Sequence, residues 1–187
     1  FVSASDGYNN PAWWTAAGLD WKADRTAPDE HSDPDFRLSN HPRIDVRWYE
    51  AVAFCRWLSA KLGNEVRLPT EAEWEKAARG TDGRIYPYGD TFDAAKGNTD
   101  ATKIGTTSAV GLFPDGASPY GVLDMSGNVW EWCATKWRGS YAEPADDDLN
   151  GTYVRVLRGG SWFNNPQYAR AARRNNFSPN DRSGTLG

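Results

Sequence analysis

Asp124-Met125-Ser126-Gly127-Asn128-Val129-Trp130-Glu131-Trp132 is the stretch on which the reading of this chain turns. Glycine and asparagine at its centre mark a tight turn, and Val129–Cys133 continues it as an apolar run of strand length. Two carboxylates, Asp124 and Glu131, bracket backbone carbonyls next to the glycine, a set of hard oxygen donors that suits Ca²⁺. The same residues also suit an aromatic core strand. Spacing alone reads the stretch first as core strand and second as a metal turn.

Upstream, two helices carry clear signals. From Trp48 to Leu62, the residues Ala51, Cys55, Leu58 and Leu62 recur at helical spacing, with Val52 widening the stripe, and Gly63 stands where a left-handed C-terminus would end it. Thr70 and Glu73 form a capping box for the second helix, whose buried face is expected at Trp74, Ala77 and Ala78 and whose end is expected at Gly80. Ahead of these helices, Phe1 to Pro42 reads as loop apart from ordered islands, with Trp13, Trp14 and Trp21 as packing pins. After Gly80 no periodicity persists, and short strands are expected at Val122–Met125, Val129–Cys133 and Tyr153–Arg158. The pattern describes one α+β domain over residues 1–187, without repeat or linker. The abrupt opening at Phe1 suggests a chain trimmed at both ends.

Composition narrows the classes. Ten Trp and 18 Gly against a single Met indicate aromatic anchors joined by irregular segments. The mean hydropathy of -0.72 and the lack of a long apolar run exclude a transmembrane helix. A net charge of -4 argues against nucleic acid as a partner. The arginines crowded between Arg155 and Arg182 read instead as half-buried scaffold. Cys55 and Cys133 allow one bridge but fit inert thiols better. Asp146-Asp147-Asp148 opens like an EF-hand loop, yet Leu157 stands where the bidentate acid belongs, so a solvated loop is expected. His31 and His41 lack partners at metal-ligand spacing, and no Gly-x-Ser-x-Gly elbow exists.

Five phrases, in order, resemble the formylglycine-generating-enzyme (sulfatase-modifying factor) family. They are Trp48-Tyr49-Glu50-Ala51-Val52-Ala53-Phe54-Cys55, Arg67-Leu68-Pro69-Thr70-Glu71-Ala72-Glu73-Trp74-Glu75, Tyr86-Pro87-Tyr88-Gly89-Asp90, Tyr120-Gly121-Val122 running into Gly127–Trp132, and Arg158-Gly159-Gly160-Ser161-Trp162. The resemblance implies a C-type-lectin-like fold with two helices, a small twisted sheet and extended loops. It implies structural Ca²⁺ at Asp124, Gly127, Val129 and Glu131, the middle two through carbonyls. A weaker second site would lie at Asn98 and Thr99, beside a shortened loop. It also implies that Cys55 matches a cysteine whose disulfide partner falls just past Gly187.

The catalytic carry-over fails. Active members hold copper with two cysteines that match Asn164 and Ala169 here, and neither supplies the thiolate that Cu(I) selects. No copper is therefore expected, and the chain reads as a binder rather than an enzyme. The resemblance is strongest to the variable proteins of diversity-generating retroelements, whose tail carries a rewritten contact surface for a protein or other macromolecular ligand. The matching surface comprises Phe163, Asn165, Gln167, Tyr168, Ala171, Arg173, Asn175, Asn176, Phe177, Asn180, Ser183 and Thr185. Truncating Tyr168 or Phe177 is expected to weaken binding without loss of stability. The alternatives are an oxidase with altered metal ligands and a non-diversified accessory domain. Compartment and oligomeric state stay open.

Overall fold

The computed structural model describes residues 1–187. Three α-helices, α1 (Ala16–Lys22), α2 (Trp48–Leu62) and α3 (Glu71–Arg79), precede three short strands, β1 (Glu131–Lys136), β2 (Arg155–Arg158) and β3 (Asn175–Phe177). The strands form one antiparallel sheet in the order β1-β2-β3. Glu131 lies opposite Arg158, Trp132 opposite Leu157 and Val156 opposite Asn176. The fold is α+β, with long loops braced by 3-10 turns.

Local chemistry explains most boundaries. In α3 the Thr70 hydroxyl accepts from the Glu73 N–H, and the Glu73 carboxylate accepts from the Thr70 N–H at 2.8 Å. That reciprocal pair satisfies two of the orphan donors of a helix start. Arg67 closes on the same carboxylate through two 2.7 Å bonds, which hold Glu73 down at about 2. Gly63 ends α2 in the left-handed region, as the sequence suggests.

The ordered islands of the first 42 residues include α1, which Thr15 caps by accepting from Gly18 N–H. Three expectations need correction. The buried face of α2 is Trp48, Tyr49, Val52 and Ala53, while Leu62 is 58 % exposed. Two adjacent aromatics bury more area than the aliphatic stripe and turn the helix toward themselves. Val122–Met125 is irregular chain bent at Asp124, whose φ of +59 lies outside the strand region. The sheet also gains β3, where a run with no apolar alternation pairs with β2.

The core has two lobes. Tyr8, Trp14, Trp48, Tyr49, Trp130, Trp132 and Leu157 fill the first, beneath α2. Trp74, Ala78, Met125, Cys133, Val156 and Ala171 fill the second, beneath α3. Both cysteines are free thiols, and burial pushes each thiol pKa upward, so neither is a ready nucleophile.

Glu73→Ala should cost about 1 kcal/mol at neutral pH, the usual value of a cap. The Glu73 carboxylate is held below its unfolded value of 4.5, so its contribution is present above that pH and fades as pH falls toward about 2. Urea unfolding of the parent and the variant should therefore converge across that acid window.

Candidate functional site

The turn from Asp124 to Glu131 is built on three left-handed residues, Asp124, Gly127 and Asn128, at φ +59, +92 and +66. Gly127 has no substitute, since a Cβ there would stand 2.0 Å from the Asn98 carbonyl oxygen. Asn128 tolerates this region as few side chains do, and its amide is spent on the Ser108 backbone.

The implied calcium ligands have the chemistry a cation needs. The carbonyls of Gly127 and Val129 accept no hydrogen bond from the chain. Asp124 receives only the Gly111 N–H, at 2.7 Å, and Glu131 only the Trp74 indole N–H, at 2.6 Å. Neither carboxylate has a cationic side chain as partner. Enclosure of the Glu131 carboxyl, with Asp124 near enough to add repulsion, pushes its pKa up to about 7. Two free carbonyls and two uncompensated carboxylates fit a hard cation. Asn98 and Thr99 are more engaged: the Asn98 side-chain oxygen accepts from Thr102 Oγ1, its carbonyl from Asn128, and the Thr99 carbonyl from Thr102. Their oxygens already serve the fold.

The Asp146–Asp148 loop is used internally as well. Lys136 reaches Asp146 at 2.8 Å and Asp148 at 3.6 Å, and Thr135 donates to Asp147.

The segment after Gly159-Gly160 leaves the sheet through two left-handed glycines. From Trp162 to Gln167 it alternates between half-buried and exposed, so Phe163, Asn165 and Gln167 face solvent. Phe163 is 68 % exposed, its ring edge-on to Trp162 at 5.6 Å. The positions that match the copper cysteines point inward. Asn164 accepts from Ser161 Oγ at 2.8 Å and Ala169 is buried, so an amide and a methyl group occupy the place of two thiolates. These residues do not fit copper.

The sequence-assigned surface splits into three parts. Phe163, Asn165 and Gln167 share the exposed turn, with Arg173 lying over Tyr168 beside it. Asn175, Asn176 and Phe177 lie half-buried on β3, the outer strand of the sheet. Asn180 is exposed, and Ser183 and Thr185 share a hydroxyl bond at 2.9 Å. Ala171 has to be withdrawn from the surface: it is fully buried in the second core lobe. Tyr168 and Phe177 pack partly against the first lobe, Tyr168 edge-on to Trp130. Both pack against the core, which argues that truncating them costs stability as well as contact.

One neighbour escaped the sequence reading. Phe36 lies 5.6 Å from Trp162 and His31 lies 4.6 Å from Phe36, so the early loop continues the aromatic strip that ends in Phe163. No periodicity in that loop could have indicated it; His31 drew notice only as a histidine without partners at metal-ligand spacing.

A small antiparallel sheet flanked by α2 and α3, with glycine turns presenting a loop-rich face, defines a C-type-lectin-like domain of the formylglycine-generating-enzyme type. The chain belongs to the sulfatase-modifying factor enzyme 1-like domain family, whose model matches residues 1–187. It is 34 % identical over 95 % of its length to a formylglycine-generating enzyme of Streptomyces coelicolor, spanning 59 % of that protein. It is 35 % identical over 78 % of its length to the inactive C-alpha-formylglycine-generating enzyme 2 of Bos taurus, spanning 48 % of it. The chain thus spans about half the length of these relatives. Among solved structures, Treponema denticola variable protein 1 superposes with a TM-score of 0.70 at 28 % identity, covering 89 % of this chain and 78 % of that one.

If only the thiolates are missing, Asn164→Cys combined with Ala169→Cys should confer stoichiometric Cu(I) binding, read by competition with a chromogenic chelator. A folded double variant without copper affinity would show that the surroundings of the site have diverged too.

Proposed function

We propose that this domain binds a macromolecular ligand without chemistry, through a surface centred on residues 163–167 of a calcium-stiffened scaffold. Phe163 carries the reading: a large apolar ring left 68 % in water on a turn whose backbone is fixed on both sides. Exposed aromatics held rigidly at the centre of a polar surround are typical contact anchors. Asn165 and Gln167 supply amides around it. The inward Asn164 and Ala169 support the absence of copper chemistry, and the likeness to Treponema denticola variable protein 1 supports display of a variable tail. The decisive observation would be genomic. A near-identical DNA copy of the segment coding for residues 163–185, differing only at adenines and beside a reverse transcriptase gene, is expected; its absence rejects diversification.

An oxidase with altered ligands is the second reading, favoured by 34 % identity to the Streptomyces coelicolor enzyme. Turnover of a cysteine peptide with oxygen consumption after copper loading would replace the first reading by this one.

Phe163→Ala should leave the melting temperature unchanged, whereas Tyr168→Ala should lower it by several degrees, on the order of the 3 kcal/mol or more that loss of a packed aromatic costs. Differential scanning calorimetry of the two variants separates contact residue from core residue.

Calcium belongs to the same proposal, with Asp124, Glu131 and the carbonyls of Gly127 and Val129 as its ligands. A cation bound only to the folded state stabilises it by mass action. Calcium at a hundredfold excess over its Kd should raise the melting temperature by about 5–10 °C relative to chelator. Glu131→Gln should remove that response.

A further inference from the structure

The tail that carries Phe163 has a charge of its own. Between Asp148 and Asp181 the chain holds five arginines, Arg155, Arg158, Arg170, Arg173 and Arg174, and no carboxylate, although the net charge of the protein is -4. Three of them are spent inside the fold: Arg155 on backbone carbonyls, Arg158 on Glu75 and Arg174 on Glu71. Arg170 and Arg173 are exposed. Alone among the arginines, Arg170 has no hydrogen bond, ion pair or ring contact through its side chain, so it does not share the scaffold role of its neighbours. Arg173 has only the face of Tyr168, at 4.6 Å.

Both guanidinium groups stand beside the Phe163 turn. A Cβ on Gly160 would lie 2.9 Å from the Tyr168 carbonyl oxygen, so residues 160–169 leave and return at one place. A loop of about ten residues closed in this way reaches at most roughly 17 Å from its base. Arg170 follows the closure directly, and the Arg173 N–H donates back to the Arg170 carbonyl at 2.9 Å. An extended segment of about six residues, roughly 20 Å long, therefore spans from Phe163 to both arginines. Nearby carboxylates do not neutralise the pair. Glu75 is held by Arg79 and Arg158. Asp100, beside Asn164, is followed closely by the exposed Lys103, while Asp33 and Asp35 lie next to Phe36. An exposed guanidinium without a carboxylate can fork onto one supplied by a partner. Two such charges suit a pair of carboxylates, whereas a nucleic-acid backbone is bound by neutralising a longer run of phosphates.

We propose that the ligand of the Phe163 surface is an acidic polypeptide segment whose carboxylates fork onto Arg170 and Arg173 while an apolar side chain packs on Phe163. Gln167, exposed between them in the chain, offers its amide to the backbone of the segment. The inference rests on the binding role proposed above and names the chemistry of the partner.

The test pans a phage-displayed library of random peptides on the full 187-residue chain. Selected peptides should carry a pair of Asp or Glu residues within about six positions of an aromatic or aliphatic residue, the span of the extended segment. As free peptides they should bind about threefold more weakly to Arg170→Gln, and about tenfold more weakly when Arg173→Gln is added. Arg170→Gln removes no contact within the chain, so its melting temperature should match that of the parent, and it decides the matter alone if the double variant is unstable. Selection of basic or uncharged peptides, or of acidic peptides indifferent to Arg170→Gln, overturns the proposal. So does a random single-stranded oligonucleotide pool that binds more tightly than the selected peptides. Phe163→Ala separates the two claims. Uncharged or basic peptides that it releases leave the binding surface standing and remove only the acidic partner; peptides indifferent to Phe163→Ala and to both arginine changes remove the surface as well.

Discussion

The Asn128 side chain exchanges two hydrogen bonds with the backbone of Ser108, accepting from its N–H at 3.0 Å and donating to its carbonyl at 3.2 Å. The backbone of the same residue donates to the Asn98 carbonyl and accepts from the Trp162 N–H. One residue, 4 % exposed, thus takes the part of a strand for three loops that share no sheet. An aspartate could not donate, and an apolar residue would leave both Ser108 groups buried without partners. The bond to Trp162 matters most for function, because it fixes the point at which the C-terminal segment departs toward Phe163. The adjacent Asp124 and Glu131 carboxylates and the open carbonyls of Gly127 and Val129 lie on the same turn, so a cation there would stiffen the same node.

The arginines do comparable work for the irregular chain. Arg158, with no exposed surface, donates to Glu75 at 2.6 Å and to the carbonyls of Ala171, Ala172 and Arg173. Arg155 donates to the carbonyls of Ala134, Asp148 and Asn150 while its guanidinium lies 3.8 Å over the Trp48 ring. Arg174 grips Glu71 and lies over Trp137 and Tyr141, each at 4.4 Å. Planar donors with five N–H groups satisfy carbonyls that a larger sheet would otherwise pair. A short three-stranded sheet can therefore support long loops, and Arg155, Arg158 and Arg174 serve as interior bracing, while Arg170, Arg173 and Arg182 of the same cluster are exposed.

What the sequence made legible follows from how local each signal is. Thr70, Glu73 and Gly80 act within one helix, so α3 could be read to the residue. The glycine turn at Gly127 was legible because its left-handed backbone and carboxylates are contiguous. The buried face of α2 was not, since Trp48 and Tyr49 compete with an aliphatic stripe of better period, and area decides. β3 was hidden because Asn175 and Asn176 carry no strand signal; the pairing partner, β2, supplies the strand. Ala171 and the core role of Tyr168 depend on which side of the tail faces the sheet. Phe36 beside Trp162 depends on a contact across more than a hundred positions. Sequence order contains neither fact.

The alternation from Trp162 to Gln167 gives the candidate surface a physical division of labour. Trp162 is tied by its indole N–H to the Gly184 carbonyl at 3.1 Å, and Asn164 by its carbonyl to the Asp100 N–H and by its amide to Ser161. These inward residues fix the backbone, helped by Gly160, where a Cβ would stand 2.9 Å from the Tyr168 carbonyl oxygen. Phe163 and Gln167 contribute nothing to that geometry through side-chain hydrogen bonds, so their identity is free to follow a ligand. Asn165 is intermediate: its side chain caps the 3-10 turn Pro166–Ala169 by accepting from the Gln167 N–H at 3.1 Å. Serine, threonine or aspartate could keep that cap, and a large apolar residue could not. Tolerance to substitution should therefore fall from Phe163 and Gln167 through Asn165 to Trp162 and Asn164. That order is set by where the backbone gets its support, and it would hold whatever partner the surface meets.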